Sequence, residues 1–219
     1  MYQLLSQLFF PPKCHFCRKV LSDNETDLCH TCRSSAPEFV RAKRNIQLLA
    51  HWTAVWYYKD NVRNSIRRFK FYNARNYASF FARAIAMKLQ DDPIGHNFDV
   101  LTWVPVSRLR RFVRGYDQSE LLAKALGKEL GITPVAGLVK ARHTKPQSGI
   151  SSGAERRANV FNAFKGINPS CFAGKRVLLV DDVVTTGATA AECAKTLLVS
   201  GATHIFLATI AATPNKTRR

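Results

Sequence analysis

Apolar and polar positions fall into blocks whose period changes several times along the chain. HWTAVWYYKD, residues 51 to 60, mixes aromatic and β-branched types ahead of turn formers and predicts a strand. The spacings of Ile66 and Phe69, and of Phe80, Phe81 and Ile85, then suit a buried face on two helices around Asn73. FDVLTWVPVS, residues 98 to 107, predicts a second strand, and RLRRFVRGYDQSELLAKALGKELG after it reads as a basic loop and a helix. In that helix Asp117 with Glu120 forms a capping-box pattern, Leu121, Leu122, Ala125, Leu126 and Leu130 supply the apolar stripe, and Gly131 stands at the C-cap. TPVAGLVKAR predicts another strand, HTKPQSGISSG a polar loop and AERRANVFNAF a short helix. RVLLVDD is a continuous apolar run of the kind buried on both faces of a parallel sheet, ATAAECAKTLLVSG is a helix ending at Gly201, and HIFLATIAAT is a closing strand.

Strands that alternate with helices imply right-handed βαβ units, so the expected fold class is α/β with an open, mostly parallel sheet. Ligands of such sheets bind at the carboxyl ends of the strands, where VPVSRLRR and VDDVVTTGAT both fall. A length of 219 residues, 46% of them apolar, is enough for one ordinary domain with a real core and a small module beside it.

The module is announced by cysteines. Cys14, Cys17, Cys29 and Cys32 stand as CHFC and CHTC with eleven residues between the pairs. Two such turns present four thiolates in the tetrahedral set that suits zinc, and a segment this small needs the metal to fold. Paired disulfides are disfavoured in a reducing cytosol, and a redox pair needs only one Cys-x-x-Cys. His15 and His30 lie inside the turns as substitute ligands, whereas Cys171 and Cys193 are isolated and read as packing residues. The expected organisation is a zinc-binding module over residues 1–45 and an α/β domain over 46–219, the module serving structure ahead of docking or nucleic-acid contact.

Charge narrows the partners. The formal net charge of +18, from 33 Lys and Arg against 15 Asp and Glu, asks for a polyanion: nucleic acid, an anionic membrane or a phosphorylated substrate. MYQLLSQLFFPPKC lacks a basic n-region, and no stretch reaches the roughly twenty apolar residues of a membrane helix. A cytosolic location with at most peripheral membrane contact is therefore expected. From Val62 to Gln90 there is no acidic residue, while seven bases, Arg63, Arg67, Arg68, Lys70, Arg75, Arg83 and Lys88, are interleaved with Phe69, Phe71, Tyr72, Tyr77, Phe80 and Phe81, the first five being grouped as the candidate DNA contacts. Cations that track phosphates and rings that stack bases would make a single-strand contact; amphipathic helices with their rings in the core are the alternative. The cations form an electrostatic footprint either way.

VLLVDDVVTTGATA, residues 177 to 190, ends an apolar run on adjacent carboxylates, Asp181 and Asp182, whose mutual repulsion demands a use. Thr185, Thr186, Gly187, Ala188 and Thr189 follow, where backbone N–H groups, hydroxyls and a glycine make a phosphate cup. Carboxylates do not bind phosphate, so their partners are hydroxyls or a magnesium ion on the same ligand, and the two features together point to a phosphorylated sugar. A Walker loop does not fit, because no lysine stands between Arg176 and Lys195. Nor does a phospho-receiver domain, whose remaining units need more chain than follows Asp182.

VLLVDDVVTTGAT resembles the 5-phosphoribosyl-1-pyrophosphate (PRPP) signature of type I phosphoribosyltransferases. CHFC with CHTC, then VPVSRLRRFVRGYDQSELLAKAL, then ARHTKPQSGISSGAERRANVFNAF resemble, over nearly the whole chain, the ComF branch of that superfamily, bacterial competence proteins related to the GntX group. The resemblance implies the type I phosphoribosyltransferase sheet with PRPP as ligand. Asp181 and Asp182 would be the catalytic acids, holding the ribose hydroxyls with magnesium bridging ribose and pyrophosphate, and Thr185 to Thr189 would take the 5-phosphate. VPVSR, with Val106, Ser107 and Arg108, is similar to the pyrophosphate loop. That loop often carries a non-proline cis peptide in the superfamily, so one is expected near Ser107. Arg108 and Arg114 are candidates to neutralise the diphosphate, and HTKPQSG, residues 143 to 149, falls at the family's mobile active-site loop. The resemblance also implies a cytosolic protein of DNA uptake that binds single-stranded DNA, with other competence proteins as partners. An active phosphoribosyltransferase with an unknown acceptor is the alternative, and a zinc-dependent docking adaptor is the third reading.

Overall fold

The computed structural model describes residues 11–40, 45–142 and 153–214. Its main sheet has four strands, all parallel, in the order β1 (His51–Tyr57), β6 (His204–Ala212), β5 (Arg176–Val184), β2 (Val100–Trp103). Successive side chains of β5 go to opposite faces. Leu178 and Val180 join a buried cluster with α2 (Asp60–Phe71), α3 (Tyr77–Gln90) and α5 (Gln118–Leu130), while Val177 and Leu179 join one with α7 (Ala188–Val199). A strand covered on both faces has no polar side, which is why RVLLVDD reads as an unbroken apolar run.

The helix signals of the sequence hold where they rest on caps and stripes. Asp117 is the N-cap of α5 and accepts hydrogen bonds from the N–H groups of Ser119 and Glu120, Leu122 and Leu126 are buried, and Gly131 ends the helix at φ 69°. They fail where no stripe exists. RLRRFVR is helix α4 (Arg108–Arg114) rather than a loop: Ser107 caps it, Gly115 at φ 74° ends it, and none of its residues is buried, so it leaves no apolar period to read. TPVAGLVKAR contributes only β3 (Leu138–Lys140), which pairs antiparallel with β4 (Phe164–Gly166) in a separate two-stranded sheet. The helix in AERRANVFNAF, α6 (Gly153–Val160), stops before Phe164 turns into β4. HTKPQSG lies outside the described residues.

The cysteine module, which includes helix α1 (His30–Ser34), is not a bead on a string. Cys14, Phe16, Leu21 and Leu28 share one buried cluster with Trp56 of β1 and Phe80 of α3. The segment after it runs antiparallel beside β1, Phe39 donating to the Val55 carbonyl at 3.0 Å and Tyr57 to that of Pro37 at 2.7 Å. Cys193 packs in the core as expected, but Cys171 does not: it ends a single 3₁₀ turn and is exposed.

Candidate functional site

Asp181 and Asp182 stand in the last turn of pleat before the end of β5, opposite the N-terminus of α5, and the first residues of that helix serve them. Gln118 Nε2 donates to Asp182 Oδ2 at 3.4 Å and Ser119 Oγ to Asp181 Oδ1 at 3.3 Å. Their placement depends on Asp117, which holds the two N–H groups of the cap and, through Oδ2, the N–H of Val106 at 2.9 Å. One buried carboxylate thus ties the loop after β2 to the helix that faces the acids. Burial raises the pKa of Asp117, and the N–H donors of Val106 and Glu120 pull it back.

The repulsion within the acid pair is answered from α2. Lys70 Nζ lies 2.8 Å from Asp182 Oδ1, with both side chains largely buried. The Asp181 carboxyl is still pushed up, first by burial and then by the charge of Asp182, while Lys70 and the Asp182 N–H oppose the shift. Two more cations stand close. Burial lowers the pKa of Arg110, the charge of Arg114 lowers it further, and Asp182 raises it. Lys140 of β3, lying over the Phe164 ring, is brought down to about 8 by burial and by Arg110, with Asp181 opposing. Gln118 Oε1 is buried with no hydrogen-bond partner. Two carboxylates and an unpartnered amide oxygen are hard oxygen donors, so the residues fit a divalent cation.

The turn after β5 supplies the complementary half. Gly187 at φ 83° is the N-cap of α7, and an added Cβ would come within 2.7 Å of Ile46 Cγ1. A side chain is thus excluded both by conformation and by contact. Thr186 Oγ1 accepts from the Ala188 N–H at 3.4 Å, and Thr213 Oγ1 donates to the Thr185 carbonyl at 3.2 Å, which braces the turn. The start of this twelve-residue helix brings Thr185, Thr186, Ala188 and Thr189 together around a bare glycine, the arrangement expected of an anion cup.

Across from it, Val106 and Ser107 follow β2 with Ser107 at φ −66°, ψ 151°, its Oγ accepting from the Arg110 N–H at 3.4 Å. The cis peptide expected near Ser107 is absent, every peptide bond among the described residues being trans. The extended backbone satisfies the two demands made here, the Val106 N–H on Asp117 and the Ser107 cap. Of the arginines, Arg108 is exposed and Arg114 lies over the Phe71 ring at 4.8 Å. Arg110, which the sequence did not single out, is half-buried, and the charge of Asp182 acts on it.

Cys14, Cys17, Cys29 and Cys32 bring their sulfurs within 4.8 Å of one another, with Cys17 and Cys29 at 3.7 Å and all four thiols free. Tetrahedral zinc–sulfur bonds of about 2.3 Å set sulfurs about 3.8 Å apart, so the cluster fits zinc and excludes the disulfide alternative. Neither histidine belongs to it. The His15 ring stacks on Phe80 with centroids 4.5 Å apart and bonds the Asp27 carbonyl through Nδ1, while His30 is exposed.

Comparison with known proteins matches both halves. Residues 5–44 match the double zinc ribbon domain and residues 117–219 the phosphoribosyl transferase domain. Competence protein F of Haemophilus influenzae is 30% identical over 90% of this chain and 95% of its own length. The chain belongs to the ComF family. Competence protein ComFC of Bacillus subtilis is 27% identical over 86% of the chain and 78% of its own. DNA utilization protein YhgH of Escherichia coli K12 is 36% identical over 49% of the chain and 46% of its own length.

In this ComF chain one helix, α2, serves three places at once. Arg68 Nη2 donates to the carbonyls of His15 and Phe16, and its Nε to Tyr77 Oη, so it pins the zinc module. Lys70 enters the acid pair. Arg63 and Arg67, one turn apart, face water. Arg75 beyond the helix end donates to the Gly115 carbonyl and lies over the Tyr116 ring at 4.9 Å. The five cations grouped together from the sequence therefore separate, two turning inward and three outward. The contributions of Lys70, Arg110, Gln118, Ser119 and Lys140 to the acid pair were missed, because each comes from a segment distant in sequence. The only local signal was the capping box at Asp117, which placed Gln118 and Ser119 at a helix start.

Proposed function

We propose that this ComF protein acts in natural transformation by holding PRPP at the end of its sheet while its outward cations bind single-stranded DNA entering the cytosol. The observation that supports the ligand is the adjacency of an acid pair and a glycine turn on one strand–turn–helix: Asp181 and Asp182 would take the sugar hydroxyls, and Thr185, Thr186, Gly187, Ala188 and Thr189 the 5-phosphate. Val106, Ser107, Arg108 and Arg114 flank the diphosphate, joined by Arg110. Asp181, Asp182 and the Gln118 amide oxygen would hold magnesium, which when bound offsets diphosphate charge. Lys70 pairs with Asp182 and must leave Oδ1 for a cation to enter. Arg63, Arg67 and Arg75 are the outward cations, with Arg68 and Lys70 behind them. The names of the relatives, competence and DNA utilization, support the cellular role. Other competence proteins and the anionic membrane surface are further partners of so basic a chain, and no helix among the described residues is long and apolar enough to cross a membrane.

Turnover is the second reading, favoured by the completeness of the acid pair and cup. Arg110 and Arg114 would then stabilise departing pyrophosphate, while Asp181 and Asp182 lie near the cationic ribose ring. Titration with a fluorescent oligodeoxynucleotide tests the DNA half: binding weakens steeply with salt and with Arg63→Glu plus Arg67→Glu. Affinity indifferent to both sinks it.

A further inference from the structure

Helices α2 and α3 bury most of their rings and leave two outside. Phe69, Tyr77, Phe80 and Phe81 lie in the core, whereas Phe71 and Tyr72, adjacent at the end of α2, are 59% and 69% exposed. Each is set among arginines. Tyr72 lines a cavity of about 470 Å³ with Arg18, Asn64, Arg67, Arg68 and Ala74, to which no carboxylate contributes. Phe71 has Arg114 over its ring at 4.8 Å. A strip of alternating cation and ring therefore runs from Arg18 of the zinc module past Arg67 and Tyr72 to Phe71 and Arg114. It ends at the rim of the acid pair, since Lys70, next to Phe71, reaches Asp182.

We infer that Phe71 and Tyr72 form a stacking platform for the bases of a single-stranded nucleic acid, with Arg18 and Arg67 on its phosphates. The inference rests on the proposal that the chain binds single-stranded DNA, and assigns the surface and the chemistry of that contact. Every base offers a π-face, so two rings among cations bind without sequence preference, while a duplex hides those faces. Charge complementarity favours this occupant: the chain carries +18, and the recess beside Tyr72 is lined by three arginines and no carboxylate. An anionic bilayer presents a plane, which reaches exposed rings but not arginines lining a recess.

The test uses the full-length, zinc-loaded chain and a labelled twenty-nucleotide oligo-dT. Phe71→Ala with Tyr72→Ala should weaken binding at least about tenfold, as base–aromatic stacking does, with the slope of log affinity against log salt unchanged. Arg67→Ala should instead lower that slope by about 0.7, the mark of one lost phosphate contact on a single strand. In Tyr72→Trp the indole emission should be quenched on saturation with oligo-dT and not with duplex of equal length. Both rings are exposed, so melting curves of the variants should overlay the parent. Parent protein that does not bind oligo-dT overturns the single-strand proposal and the platform with it. Parent binding that survives loss of both rings overturns the platform alone. Loss of binding to phosphatidylserine vesicles in place of oligo-dT overturns it in favour of a membrane contact.

Discussion

The end of β5 and the seam between α2 and the zinc module both concentrate charge, and they manage it in opposite ways. At β5 two carboxylates are buried together and their charge is met by Lys70, by the donors Gln118 and Ser119, and by Arg110 and Lys140 nearby. At the seam cations outnumber acids, and they are spent on backbone carbonyls, as Arg68 is, or left to water, as Arg63 and Arg67 are. The first arrangement meets its charge with internal partners. The second leaves a surplus of cations facing water. Helix α2 contributes to both, so Arg67, Arg68 and Lys70 are not equivalent although they crowd four positions of sequence.

The sharpest break of this comparison is removal of zinc. Because the cysteine module shares its core with Trp56 and Phe80, chelation or Cys14→Ser should lower the melting temperature by more than about 10 °C and disturb the whole domain. Calorimetry reads it; an unchanged main transition with only a small early one would mean that the module folds by itself. Next comes the contrast along α2. Arg68→Ala strands two carbonyls and should cost about 2–3 kcal/mol in urea unfolding, whereas Arg67→Ala should stay within about 0.5 kcal/mol. Equal effects would erase the distinction between inward and outward cations.

The acid pair, the glycine turn and the four cysteines were legible in the sequence because each is a contiguous motif whose chemistry depends on spacing. The parallel sheet was legible because burial on both faces writes itself as an apolar run. Helix α4 was not, since a helix with no buried residue has no stripe, and β4 was not, since three residues carry little pattern. The partners of Asp181 and Asp182 were hidden for a different reason. Lys70, Ser119 and Lys140 reach them across more than forty positions of sequence, and only tertiary packing brings them together.

Two smaller effects sharpen the view of the strand end. Gly187→Ala forces a side chain at positive φ against Ile46 and should cost about 1–3 kcal/mol, partly relieved by Ile46→Val; full stability would show that the turn does not need glycine. Asp181 titrates above the usual carboxylate range because burial and Asp182 disfavour its charge. A carboxyl raised on folding withdraws stability as pH climbs from its unfolded value through its folded one. Asp181→Asn should therefore melt higher than the parent at alkaline pH, the gap closing toward pH 4 by about 4 °C per pH unit of the shifted interval. A gap that does not vary with pH would mean that Asp181 is ionised throughout.

If the acid pair and the cup form one PRPP site, titration calorimetry with PRPP and magnesium should give saturable heat in the parent, lost in Asp182→Asn and in Gly187→Ala while both variants remain folded. No heat at millimolar PRPP in the parent, or binding that survives both substitutions, would contradict that proposal.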